Sequence, residues 1–194
     1  MNITIQNAEA TVTCRTHGAE LLSYKTVAGK EYMWQKDPAY WAKTSPVLFP
    51  YIGAVPETVT IHGTEYAIPR HGFDVAQQGD DYVVLSTGTS DFTKSIYPYD
   101  FRFTVTFRLK GSALEVTYGV FNLGNEEMPF LIGGHPAFFC PMEDGEQFTD
   151  YMLRFEDENV PDLHLQYPMF DHDAILYENL THRTVRLISS KTEK

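Results

Sequence analysis

Phe101–Leu109 reads FRFTVTFRL. Phe101, Phe103, Val105, Phe107 and Leu109 fall on one side of an extended chain, and Arg102, Thr104, Thr106 and Arg108 on the other. That period of two is the signature of a strand with one buried face and one wet face. Lys110, Gly111 and Ser112 supply a turn, after which Leu114, Val116, Tyr118 and Val120 alternate again. Residues 101–121 therefore predict a β-hairpin.

The same pattern recurs outward from this hairpin. VTIHGTEYAI predicts a second hairpin with His62 and Gly63 at its turn, and ITIQN, ATVTC, YVVLS, YMLRF and VRLIS are further strand candidates. Clusters of Gly, Pro, Asn and Asp separate them at the intervals of an all-β sandwich or barrel, and helix is scarce. No repeat, linker or shift in composition divides the chain, so residues 1–194 are expected to form a single domain. With 194 residues, 43% of them apolar and 14% aromatic, the chain can build a substantial core.

Charge excludes several functions. Fifteen Lys and Arg stand against 26 acidic residues, a formal net charge of -11, with no basic run to neutralise a phosphate backbone, so nucleic acid is not an expected partner. No apolar run approaches the ~20 residues needed to span a bilayer, and MNITIQNAEA has neither a basic n-region nor an apolar h-region. A cytoplasmic protein with no membrane partner is the expectation. Cys14 and Cys140 form neither a CxxC pair nor a disulfide framework and read as two small buried thiols. GxSxG, P-loop and GxGxxG patterns are missing from the sequence, which leaves acyl transfer, nucleotide hydrolysis and dinucleotide redox without local support.

The segment YMWQKDPAYWAKTSPVLFPYIG is too rich in proline for a helix or a central strand. Two readings stand for Trp34, Tyr40 and Trp41: they plug the end of a sandwich, or their faces stack on the C–H faces of a pyranose. The seven histidines also differ. His17, His62, His164 and His182 sit in polar or turn-like surroundings and read as exposed rings. His71, in RHGF, precedes a glycine, and His135, in GGHPAFF, precedes a proline that pushes it into an extended conformation; both adjoin phenylalanine. Either ring is a structural imidazole or a general acid or base tuned by apolar walls. A metal site is disfavoured: there is no HxH with a following Glu, and His172 between Asp171 and Asp173 reads equally well as a solvated turn.

EYMWQKDPAYWAKTSPVLFPYIG, the hairpin leading to RHGF, YPYDFRFTVTFRL, NEEMPFLIGGHPAFFCP and FDHDAILYENL occur in that order. Together they resemble the aldose 1-epimerase (galactose mutarotase) family, most closely its LacX-like bacterial branch, across about the whole chain. The resemblance implies a large antiparallel β-sandwich with an open cleft, a free aldohexose as substrate, interconversion of its α and β anomers, and no cofactor. By the same resemblance His135 matches the general acid that protonates the ring oxygen, and His71 the second histidine that hydrogen-bonds the sugar. Asp173 matches an acidic residue offered to sugar hydroxyls, or is a turn aspartate. Arg70 contacts a hydroxyl or forms a surface ion pair. Phe138 and Phe139 are expected to back the His135 ring.

Two departures accompany the resemblance. HGF continues here with Asp74 and Val75, where the family commonly has a small residue and an arginine. A hexose-phosphate substrate, which would call for extra cations, is accordingly disfavoured. Family members are also longer, with their catalytic glutamate beyond the position of Lys194, so the chain is expected to be short of the last sandwich strands and no residue is assigned as the base. A shortened sandwich would expose an edge that invites a homo-dimer or a partner chain. The remaining alternative is a non-catalytic carbohydrate-binding or sensor domain.

Overall fold

The computed structural model describes residues 1–52, 58–67, 72–154, 175–181 and 184–189. The chain divides into two compact units, Met1–Phe138 and Phe139–Lys194. In the first, β1 (Asn2–Gln6), β2 (Ala10–Arg15) and β3 (Glu20–Thr26) are followed by the short β4 (Val47–Leu48) and by a hairpin, β5 (Thr58–Ile61) and β6 (Thr64–Ala67). Then come β7 (Asp74–Gln78), β8 (Tyr82–Gly88), a one-turn helix α1 (Asp91–Lys94), β9 (Phe101–Lys110), β10 (Ala113–Asn122) and β11 (Gly133–Gly134).

Every strand pairing described is antiparallel. The sheets are β1-β2-β3, β10-β9-β8-β7, β11-β4 and β5-β6. The predicted hairpin is β9-β10, in register from Lys110 opposite Ala113 to Phe101 opposite Asn122. Gly111 takes φ +59° in its turn, a left-handed conformation that glycine adopts without a Cβ clash. In the β5-β6 turn both His62 (φ +47°) and Gly63 (φ +80°) are left-handed, the type I′ pattern whose twist matches that of the flanking strands.

Phe101, Phe103, Val105, Phe107 and Leu109 are all at most 2% exposed. They join Ile3 and Ile5 of β1, Val12 and Cys14 of β2, Leu21 of β3, and Val83 and Leu85 of β8 in one core. Phe49 stacks on Phe103 with centroids 4.4 Å apart and planes 21° apart, so the proline-rich segment does enter the core, through this ring. The apolar row of β10 behaves differently from that of β9: Leu114, Tyr118 and Val120 are only half-buried and Val116 is 38% exposed. The reason is position, since β10 is the outer strand of its sheet among the described residues.

The second unit contains a short 3₁₀ turn, Phe148–Asp150, and β12 (Met152–Arg154), β13 (Ile175–Thr181) and β14 (Thr184–Ser189), ordered β12-β14-β13. The all-β expectation holds, and the α-helix within the described residues amounts to four residues, capped by reciprocal Ser90 and Thr93 bonds. Cys14 is buried, and burial pushes its thiol up to about 11. Cys140 is free too but partly exposed, which corrects the expectation of two buried thiols. Among the described residues no helix is long and apolar enough to cross a membrane.

Candidate functional site

His135 sits on an extended segment, 133–138, between two others. On one side β11 pairs with β4, Gly133 opposite Leu48 and Gly134 opposite Val47. The pairing continues past β4, because the His135 N–H donates to the Pro46 carbonyl (3.1 Å) and the Ala137 N–H to the Thr44 carbonyl (2.8 Å). On the other side the Trp34 N–H donates to the Ala137 carbonyl (2.9 Å), and Met33 bridges Phe138. The backbone carrying the histidine is therefore held from both edges, and Pro136 further restricts the residue before it.

Side chains on an extended chain alternate between two faces. Gly134, Pro136 and Phe138 line a cavity of about 560 Å³, together with Leu21, Met33 and Tyr118 among others. His135 is not a lining residue; its imidazole is exposed and meets Trp41, with ring centroids 4.9 Å apart and planes at 51°. The cavity wall is overwhelmingly apolar, whereas the opposite face of the segment carries the titratable His135 ring. Gly134 is needed where it is: a Cβ there would lie 2.7 Å from the Tyr118 phenol oxygen.

Trp41 is half-buried, and its own carbonyl accepts from Trp34 Nε1 (2.8 Å). Trp34 in turn meets Tyr40 edge-on at 6.1 Å. Tyr40 is 78% exposed and so does not plug the core. Trp34, Tyr40 and Trp41 form a partly exposed aromatic group beside an exposed histidine, an arrangement suited to the mixed apolar and hydroxylated faces of a sugar. Trp41 is an apolar neighbour of the imidazole, whereas Phe138, expected to back it, is 52% exposed and lines the cavity on the other face of the segment.

A buried acid holds the segment that follows Trp41. Glu20 is 2% exposed; its Oε1 accepts the N–H groups of Thr44 (2.8 Å) and Ser45 (3.2 Å), and its Oε2 pairs with Arg15 Nη2. Burial alone would raise the Glu20 carboxyl, but the two backbone donors and the charges of Arg15 and Lys36 outweigh it and hold the group below its usual range. No motif in the sequence marks this residue. Its signal was an acid between Ala19 and Leu21 at the start of an apolar run, ELLSY.

Of the expected site residues, His135 is placed as above, whereas His71, Arg70 and Asp173 lie outside the described residues. Gly72, next to His71, bridges His17, and the Phe73 N–H donates to the Thr16 carbonyl at 3.0 Å. His17 and His62 are exposed, and His62 Nε2 lies 3.2 Å from the Tyr99 hydroxyl.

The described strands make an antiparallel β fold that sets an exposed histidine, in a Gly-Gly-His-Pro frame, against Trp41. The chain belongs to the aldose 1-epimerase family, whose model, Aldose 1-epimerase, matches residues 1–169. It is 32% identical over 235 aligned positions to the plasmid and chromosomal forms of Protein LacX from Lactococcus lactis subsp. lactis, covering all of this chain and 78% of each relative. Among solved structures it is similar to a galactose mutarotase related enzyme from Lactobacillus acidophilus (TM-score 0.76, 28% identity, 97% of this chain). A galactose mutarotase-like protein from Lactobacillus casei matches with the same TM-score, identity and coverage of this chain. The chain spans 65% of the first of these two structures and 68% of the second. The fold is thus the galactose mutarotase-like β-sandwich.

Proposed function

We propose that the protein interconverts the α and β anomers of a free aldohexose by opening and closing the pyranose ring. The observation that carries this reading is the exposed His135 imidazole, fixed through its backbone at both edges and set against Trp41. Ring opening requires a proton on the ring oxygen as the C1–O5 bond breaks, and removal of the proton on the C1 hydroxyl. Rotation about C1–C2 and closure, with the proton transfers reversed, then give the other anomer. An imidazole titrates near neutrality and so can both give and take a proton within one turnover. His135 is the proposed acid toward O5, with Trp41 and its aromatic neighbours stacking on the sugar's C–H face.

His71 is the proposed second histidine, hydrogen-bonding the sugar near the reacting carbon, with Asp173 and Arg70 as hydroxyl contacts; these three roles rest on the family resemblance. The base for the C1 hydroxyl is assigned to no residue of this chain. The family match runs from residue 1 to residue 169 and so ends within the second compact unit.

Polarimetry of freshly dissolved α-D-glucose and α-D-galactose tests the reading. The expected result is acceleration of mutarotation that falls in His135→Ala by about 10²–10⁴-fold, the usual contribution of a general acid. A folded chain that binds sugar without accelerating its mutarotation would replace this reading with a non-catalytic carbohydrate-binding domain.

A further inference from the structure

The Glu20 carboxylate and the His135 backbone meet across one short segment. Thr44 and Ser45 donate their N–H groups to Glu20 Oε1, while the Thr44 and Pro46 carbonyls accept from the Ala137 and His135 N–H groups. Residues 44–46 are therefore fastened along one side by a single carboxylate oxygen and along the other by the histidine strand. Thr44 is 0% and Ser45 9% exposed, so water is poorly placed to replace the carboxylate as acceptor.

We propose that Glu20 is a positioning residue for His135, acting through the 44–46 backbone to set the height and direction of the imidazole against Trp41. The catalytic consequence rests on the epimerase reading; the mechanical coupling does not. Charge matters to this role. A carboxylate accepts two backbone donors more strongly than a neutral amide does, and Arg15 on Oε2 leaves Oε1 turned to Thr44 and Ser45. Trp41 belongs to the same unit, because its loop runs directly into Thr44 and its ring is the one His135 meets.

The test is amide hydrogen exchange on the full chain, wild type against Glu20→Gln, with mutarotation measured in parallel. The expected result is exchange on the order of tenfold faster at His135 and Ala137, whose acceptors lie on the fastened segment, with Phe103, Val105 and Phe107 in β9 unchanged. In an active chain kcat falls by a similar factor while KM moves little, since a displaced acid spoils the chemical step more than sugar binding. Unchanged exchange at His135 and Ala137 in a folded variant, or an equal rise in β9, would overturn the proposal. So would local loosening with kcat unmoved, which would leave Glu20 a structural anchor only.

Should Glu20→Gln fail to fold, Arg15→Met removes the charge on Oε2 while leaving the carboxylate in place. The same residues should loosen, by a smaller factor, and a uniform or absent change would again overturn the proposal. If the wild-type chain shows no mutarotation, the epimerase reading falls while the exchange result still decides the coupling.

Discussion

The two strands of the β9-β10 hairpin carry the same alternation and are joined by a two-residue turn, yet they are buried unequally. Every apolar residue of β9 facing inward is at most 2% exposed, whereas Val116 in β10 is 38% exposed. The difference lies in neighbours. β9 lies between β8 and β10, with Phe49 stacked on Phe103; β10 is an outer strand among the described residues, and Leu114, Val116 and Tyr118 line the cavity behind the histidine segment. Alternation thus reports which face of a strand turns inward, and only the surrounding strands determine how well that face is covered.

Four measurements would break or sharpen this contrast. Phe103→Ala should have the largest effect, a loss of about 3–5 kcal/mol in chemical denaturation, because a fully buried ring leaves a cavity that β8, β10 and Phe49 cannot refill. Gly134→Ala comes next at about 1–3 kcal/mol, since the new methyl group meets the Tyr118 oxygen. Adding Tyr118→Phe should recover most of that loss, as an outer strand with room on one side needs only to shed the hydroxyl; no recovery would mean that the β11 backbone itself is the obstacle.

Glu20 extends the comparison to a buried charge. Its folded carboxyl titrates below the ordinary 4.5, so the stability it confers is complete above that value, shrinks as pH falls below it and disappears once pH drops through the folded value. Urea midpoints measured from pH 6 down to pH 2 should therefore fall less steeply in Glu20→Gln than in wild type; parallel curves would remove Glu20 from the acid response. Val116→Ala should be the smallest effect, below about 1 kcal/mol, because a half-covered side chain gives up little apolar burial. A cost comparable to that of Phe103→Ala would show that β10 is covered in solution.

How much of this was legible in the sequence depended on range. FRFTVTFRL and the His62-Gly63 turn declared themselves because their signals are local. DVAQQ did not: Val75 is its one apolar residue of size, and the strand exists because β8 offers it a ladder. Glu20–Thr26 was hidden by its irregularity, since Glu20 and Leu21 are both buried and the pairing with β2 slips between Thr13 and Cys14. At the site, GGHPAFF singled out His135, and the aromatic loop was visible as a loop. That Trp41 is the ring beside His135 was not readable, because the two are brought together only by the long-range pairing of 44–48 with 133–137. The role of Glu20 was further hidden because the partners that tie it to residues 44–46 are backbone N–H groups, which every residue but proline possesses.

The exposed edge of β10 also bears on how the molecule behaves in a concentrated solution. Among the described residues no strand pairs with the outer edge of β10, whose ten residues offer a row of amide and carbonyl groups to another extended chain, and pairing between copies through that edge is opposed by their mutual repulsion at a net charge of -11. That repulsion reaches about 30 Å at 0.01 M salt but only about 8 Å at physiological ionic strength. Storage life would then be governed by the buffer more than by the fold: dilute salt keeps the edges apart, and added salt brings them within reach.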